Sequence, residues 1–288
     1  MDKIKIAPSY NEQYLEIERP SPMTDNRIEQ VQRDVLNGKL DKDVSDAVYD
    51  NFKAEAEQWF TNSKLNTLTG LDTFSRKDII IGCTQFIDTQ YMKGPVQVIK
   101  GDYRYHWRLN NDISYSVPGY LKANVPLVIA MPFPSTGAPH TLMKEILDES
   151  MEKSIPVHID GAWISCCRDI DFDVSQSAIH SVGVSLSKGL GLGWNRIGLR
   201  WTRETKADAV TIMNDFHMNN RALAMIGLHF IRNFEPDYLW NKHGDNYYKV
   251  CNDFGLTPTN SIYLALRNGY PVGVSPLLRY LENESSIH

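Results

Sequence analysis

No stretch of this chain stays apolar for long. The longest such run, Val125 to Phe133, spans nine residues and holds two prolines, against the roughly 20 that a membrane-spanning helix needs, so no span is expected. Cysteine is scarce. Cys83, Cys166, Cys167 and Cys251 fit no zinc spacing, and the adjacent pair is poorly placed to bridge itself. All four read as reduced thiols, with Cys166 and Cys167 as small core fillers. Basic charge is not in excess either: 30 Lys+Arg stand against 35 Asp+Glu, for a formal charge of -5. A global positive field for nucleic acid or an anionic membrane is therefore missing. Eighteen glycines, 14 prolines and 23% charged residues leave out collagen-like and disordered classes. The N-terminus has neither the apolar centre of a secretory signal nor an Arg-rich transit pattern, so a cytoplasmic address is expected. His217, His229 and His243 show no metal-ligand spacing, and no metal is expected.

What is present is an ordinary globular composition. With 42% hydrophobic residues over 288 positions, the chain can bury the core of one large α/β domain and a smaller partner. From Asp25 to about Ser63 the apolar residues recur at three- and four-residue intervals, which predicts two amphipathic surface helices. Asp78-Ile79-Ile80-Ile81 then reads as a strand buried on both faces. Helix-like GCTQFIDTQYMKG follows, and Val96 to Ile99 forms a second short strand ending at Gly101. The alternation continues with VPLVIAM as a strand, HTLMKEILDESMEK as a helix, IPVHID as a strand, and SAIHSVGVSLS as a helix end or turn leading into another strand. Such alternation predicts a mainly parallel sheet covered by helices, a three-layer α/β/α sandwich. Past Trp201 the texture becomes one long helical stretch to Phe234, closed by a strand-like SIYLALR and a helical SPLLRYLEN.

Ligands of parallel α/β sheets sit outside the carboxyl ends of the strands, so the residues that follow each strand are the place to look. After the first comes Gly82-Cys83-Thr84-Gln85, a turn into a helix that could hold a phosphate or serve as a plain cap. After the second, Gly101-Asp102-Tyr103-Arg104-Tyr105 brings aromatic rings to the same edge, for stacking on a flat heterocycle or for core packing. Asp160 ends an apolar strand, where a bare carboxylate is costly without a cation opposite it. Lys188 ends another, within Ser185-Leu186-Ser187-Lys188-Gly189-Leu190-Gly191; desolvation there would leave part of the amine neutral, as a Schiff base requires.

Taken together, Asp160, Lys188 28 residues later and Arg196 eight residues after that resemble the aspartate-aminotransferase fold family of pyridoxal-phosphate enzymes, fold type I. The resemblance covers roughly Asp78 to Trp201. It implies a cofactor held by a Lys188 Schiff base, with Asp160 opposite the pyridine nitrogen and Ser185, Arg196, Cys83 and Thr84 around the phosphate. Tyr103 would cover one ring face. It also implies a homodimer, an amino donor and an oxo acceptor, and a chain divided into a helical segment at 1–65, a cofactor-binding domain at 66–205 and a reduced C-terminal domain at 206–288. His158, two residues before Asp160 on the same strand face, reads as a partner keeping that carboxylate ionised or as a packed histidine.

Two positions depart from the family pattern. Pro134, in Pro134-Ser135-Thr136-Gly137, falls where the family has an asparagine, and Trp163 falls where it has a tyrosine; both usual donors to the cofactor's phenolic oxygen are altered. Only 100 residues follow Lys188, and Arg267 and Arg279 are the candidates there for gripping a substrate carboxylate, with simple surface exposure as the plainer expectation for each. VHIDGA and LSKGLG also look like the matching segments of threonine aldolases and β-eliminating lyases, whereas Arg196 favours the aminotransferases. An aminotransferase, a lyase on β-hydroxy amino acids and a weakly active or non-catalytic relative are thus the three functions to be separated.

Overall fold

The structure, a computed structural model, describes residues 7–17, 20–40, 45–109, 113–204 and 206–285. The first six residues, part of the segment read for a targeting signal, lie outside that set. The two polar helices are α1 (Asn26–Leu36), capped by the Asp25 carboxylate on the Ile28 N–H at 2.8 Å, and α2 (Ala47–Thr61). After β1 (Asn66–Thr69), the isoleucine run lies in β2 (Arg76–Ile80), followed by α3 (Cys83–Lys93), β3 (Gln97–Ile99), α4 (Tyr105–Leu109) and β4 (Ser114–Ser116). β5 (Leu127–Ala130), α5 (Met143–Glu152), β6 (Val157–Gly161), β7 (Ile170–Asp173), β8 (Ile179–Ser185) and β9 (Gly198–Thr202) complete the first two thirds. Ile179 to Ser185 is thus one unbroken strand, entered through a turn at residues 176–178 rather than a helix end.

Seven of these strands form one sheet in the order β2-β9-β8-β6-β5-β3-β4. All pairings are parallel except those of β9, which runs antiparallel to β2 and β8. The short apolar strands have few polar positions because both faces are covered. Alternation along a strand shows how: Leu127 and Ile129 of β5 join the core formed with α2 and α5, whereas Val128 joins a second core with Phe86 and Ile87 of α3. Helices therefore cover both sides, giving the α/β/α sandwich with a mainly parallel sheet. β1 and β7 pair separately, in parallel.

The stretch past Trp201 is not one helix. α6 (Ala209–Asp215) and α7 (Arg221–Asn233) are separated by a turn in which His217 takes a φ of 51°, and Asn220 caps the new helix on the Leu223 N–H. α8 (Tyr238–Asp253) follows, then an antiparallel sheet of β10 (Thr257–Pro258), β11 (Leu264–Arg267) and β12 (Tyr270–Gly273), and finally α9 (Ser275–Ser285). The segment before α1 is strapped to this C-terminal part. Glu16 bridges Gly273 in antiparallel fashion, and buried Asp25 accepts hydrogen bonds from Tyr238 at 2.7 Å, Lys242 at 2.9 Å and His243 at 3.0 Å. No helix among the described residues is long and apolar enough to cross a membrane.

Candidate active site

Six parallel strands end on one edge of the sheet, and antiparallel β9 begins there, so residues distant in sequence converge at that edge. They line a cavity with about 640 Å³ of empty space, its open mouth included. β6 and the turn after it supply Asp160, Ala162 and Trp163; β8 and its following loop supply Ser185, Ser187, Lys188 and Gly193. The α3 N-terminus supplies Cys83 and Thr84, the turn after β3 supplies Tyr103, and the residue two before β9 is Arg196.

Asp160 is 4% exposed. Its Oδ1 accepts the Ala162 N–H at 3.0 Å, and the Cys83 thiol hydrogen-bonds it from α3. Burial pushes its carboxyl above the usual range, against those two hydrogen bonds and the Lys188 charge. Lys188 is shifted the other way. Burial lowers its ammonium below the ordinary lysine value, and the neighbouring Arg196 charge adds to this. The Lys188 Nζ lies 5.5 Å from the centroid of the Trp163 ring, within cation–π reach. Among the described residues neither Lys188 nor Asp160 has an ion-pair partner within 4.0 Å. The Lys188 backbone is held from below, where the Tyr263 hydroxyl donates to its carbonyl and the Tyr263 ring meets Trp163 edge-on at 5.8 Å.

At the other end of the cavity the groups suit an anion. Arg196 donates to the Thr84 hydroxyl at 2.7 Å and to the Ile81 carbonyl at 3.3 Å. The Ser185 and Ser187 hydroxyls are 2.9 Å apart. Gly82 enters α3 at a φ of 85°, and a Cβ there would stand 3.1 Å from the Arg196 guanidinium and 3.4 Å from the Ser185 hydroxyl. Its bare backbone keeps that corner open, beside the Cys83 and Thr84 N–H groups, which precede the first one that bonds the Gly82 carbonyl, from Gln85 at 3.1 Å.

Of the residues read from sequence, Lys188, Asp160, Ser185, Arg196, Cys83, Thr84, Tyr103 and Trp163 come together here, and Pro134 lines the same cavity. His158 does not. It hydrogen-bonds Ser181 through Nδ1 at 2.7 Å, and burial lowers it to about 3. Arg267 and Arg279 also lie away from the lining. Arg267 pairs with Glu12 at 3.1 Å. Arg279 corrects the expectation of exposure: it is 3% exposed, donates to the Thr24 carbonyl and pairs with Glu29 at 2.5 Å, joining α9 to the N-terminal strap and α1. Pro22, at the cavity from that strap, and Tyr263 beneath Lys188 carried no local signal; only the chain's return from each end brings them in.

No family profile and no curated protein matches the chain. Solved structures do match in fold. The aspartate aminotransferase of Thermus thermophilus with maleate aligns over 98% of this chain and 97% of its own at a TM-score of 0.60, with 12% identity. The Thermotoga maritima aspartate aminotransferase aligns over 94% and 90% at 0.58, with 11% identity. The PLP-bound C-S lyase of Staphylococcus hominis aligns over 96% and 81% at 0.55, with 14% identity. The chain has the fold of these enzymes.

Proposed function

We propose that this protein is a pyridoxal-phosphate-dependent aminotransferase, acting through Lys188 on an amino acid or other amino compound and an oxo acceptor. The observation that carries the reading is a half-buried amine and a buried carboxylate, neither ion-paired among the described residues, in one cavity whose far corner suits an anion. That donor set fits the cofactor's three chemical handles. Lys188 would hold its aldehyde carbon, Asp160 would face the ring nitrogen, and Arg196, Thr84, Ser185 and the open backbone at Gly82 would hold the phosphate. Bound pyridoxal phosphate supplies an electron sink for a carbanion at the Cα of an amino compound.

The chain's own residues do the rest. Asp160, if ionised against the ring nitrogen, would keep a proton on that atom, and the resulting positive charge would offset the burial that raises Asp160. Lys188, its ammonium held below the ordinary lysine value by burial, would take a proton from the substrate Cα and return one to the reacting carbon. Tyr103 lies along one wall as a packing surface for a flat ring. We further propose a homodimer, as the resemblance implies.

A lyase on the same cofactor is the second reading. It is favoured by the fold likeness to the C-S lyase and by Pro134 and Trp163 lining the cavity where the usual donors are altered. The loaded protein, supplied with single amino donors, separates the two. An aminotransferase stops after one equivalent until an oxo acid is added; a lyase continues to release product from a β-substituted amino acid with no acceptor present.

A further inference from the structure

Asp102 is a buried carboxylate to which the proposed reaction assigns no part. It is 5% exposed, and among the described residues no cation lies within ion-pair distance of it. A group of this kind is costly unless its hydrogen bonds compensate and its placement matters. Both of its oxygens are used, each on a residue of the cavity wall. Oδ2 accepts the Ala130 N–H at 2.9 Å, and Oδ1 accepts the Tyr103 N–H at 2.6 Å.

The sheet explains why these amides need it. β3 and β5 pair at Gln97 with Leu127 and at Val98 with Val128, and the chain then leaves β3 through Gly101, whose φ is 93°. Beyond that register no β3 carbonyl meets the Ala130 N–H, and the Asp102 side chain serves in place of the missing strand. Ala130 is itself the register partner of Asp160 on β6, so Asp102 lies one strand away from the carboxylate of the site.

We propose that Asp102 is a positioning residue of the site, tying the turn that carries Tyr103 to the end of β5 and so fixing the wall against which a flat ring packs. The ring itself rests on the cofactor reading above; the tie does not. The titratable groups around Asp102 are Asp160 on β6 and Tyr91 on α3, whose hydroxyl is 3.0 Å from His106 Nδ1 on α4. Burial holds His106 down at about 4, so it stays neutral near pH 7. Burial first, and the Asp160 charge as well, push Asp102 up to about 7 against its two backbone hydrogen bonds. A protonated carboxyl must turn one oxygen from acceptor into donor, which weakens one of the two N–H contacts. The tie therefore tightens as pH rises through neutrality.

The experiment compares wild type with Asp102→Ala and Asp102→Asn, reading amide hydrogen exchange at Tyr103 and Ala130 in the unloaded protein and the affinity for added pyridoxal phosphate from pH 6 to 8. Faster exchange at those two amides is expected in both variants. The dissociation constant should rise about tenfold in Asp102→Ala and less in Asp102→Asn, which keeps one acceptor. The ratio of Asp102→Asn to wild type should grow with pH. Exchange unchanged at those amides, or a ratio independent of pH, overturns the proposal. If Asp102→Ala does not fold, the Asp102→Asn series decides alone. Should wild type take up no pyridoxal phosphate while exchange speeds at both amides, the tie stands and the cofactor reading falls.

Discussion

At the scale of single residues, burial acts on a lysine and an aspartate of the cavity in opposite directions. The same loss of water that raises the Asp160 carboxyl lowers the Lys188 ammonium, so each is driven toward its neutral form in the unloaded cavity. A ligand that presents a cationic ring atom to one and an electrophilic carbon to the other relieves both. The Trp163 ring face attracts a charged Lys188 amine across 5.5 Å without giving it a hydrogen bond. Pro134 contributes no side-chain donor at all. On the proposed reading the cavity is equipped where a ring nitrogen and a phosphate would lie and altered between them.

At the scale of elements, the site depends on α3 lying flat against the sheet, because its first turn carries Cys83 and Thr84. Gly183 of β8 makes this possible: a Cβ there would stand 2.6 Å from the Phe86 ring of α3. Gly183→Ala should cost about 1–3 kcal/mol in urea unfolding by overpacking, and should weaken uptake of pyridoxal phosphate by moving the α3 N-terminus away from Arg196. Unchanged uptake would show that the helix tolerates the shift.

β2, β3, β5, β6 and β8 were legible because each carries a short apolar or β-branched run bounded by glycine or a turn, whereas β9 (GLRWT) was not read as a strand, and the spacing of Asp160, Lys188 and Arg196 survives in the linear sequence. Arg196 falls at the edge with the others because β9 runs antiparallel, which no local pattern announces. The break between α6 and α7 was signalled only by Asn220, an N-cap residue inside a stretch whose apolar periodicity continues on both sides. α8 went unread because YLWNKHGDNYYKVCND mixes aromatic and polar residues around Gly244. β1 and β7 are short polar strands whose pairing is set by chain return rather than by composition.

The whole molecule is closed by buried charges that join distant parts of the chain. Arg200 of β9 pairs with Asp78 of β2 at 2.5 Å and with Asp208 before α6 at 2.6 Å, while Asp25 ties the N-terminal strap to α8. Burial works to raise Asp25 and Asp208, but their hydrogen bonds outweigh it and hold both well below the usual carboxylate range. Groups lowered on folding stabilise above their unfolded value of 3.8 and lose that contribution as pH falls toward the folded value. His158 and His106, lowered by burial from 6.5 to about 3 and about 4, remain neutral in the fold and add a loss that begins below about pH 6.5. Asp102, raised to about 7, acts in the opposite sense between its unfolded value and pH 7. Asp160, also raised, joins Asp102 against the two histidines between pH 6.5 and 4, so the melting temperature in thermal unfolding followed by circular dichroism should drop mainly below about pH 4, where Asp25 and Asp208 lose their contribution; a steeper drop between pH 6.5 and 4 than below it would contradict this balance.

The central claim is that Lys188 holds pyridoxal phosphate in the cavity at the carboxyl edge of the sheet. The most direct measurement is the visible absorbance spectrum of the purified protein after incubation with the cofactor and removal of the excess, for wild type and Lys188→Ala side by side. The account predicts a retained band near that of a lysine-bound pyridoxal in wild type, bleached by borohydride with the label on Lys188, and no such band in the variant. A colourless wild-type protein, or a band of equal strength in Lys188→Ala, would contradict it.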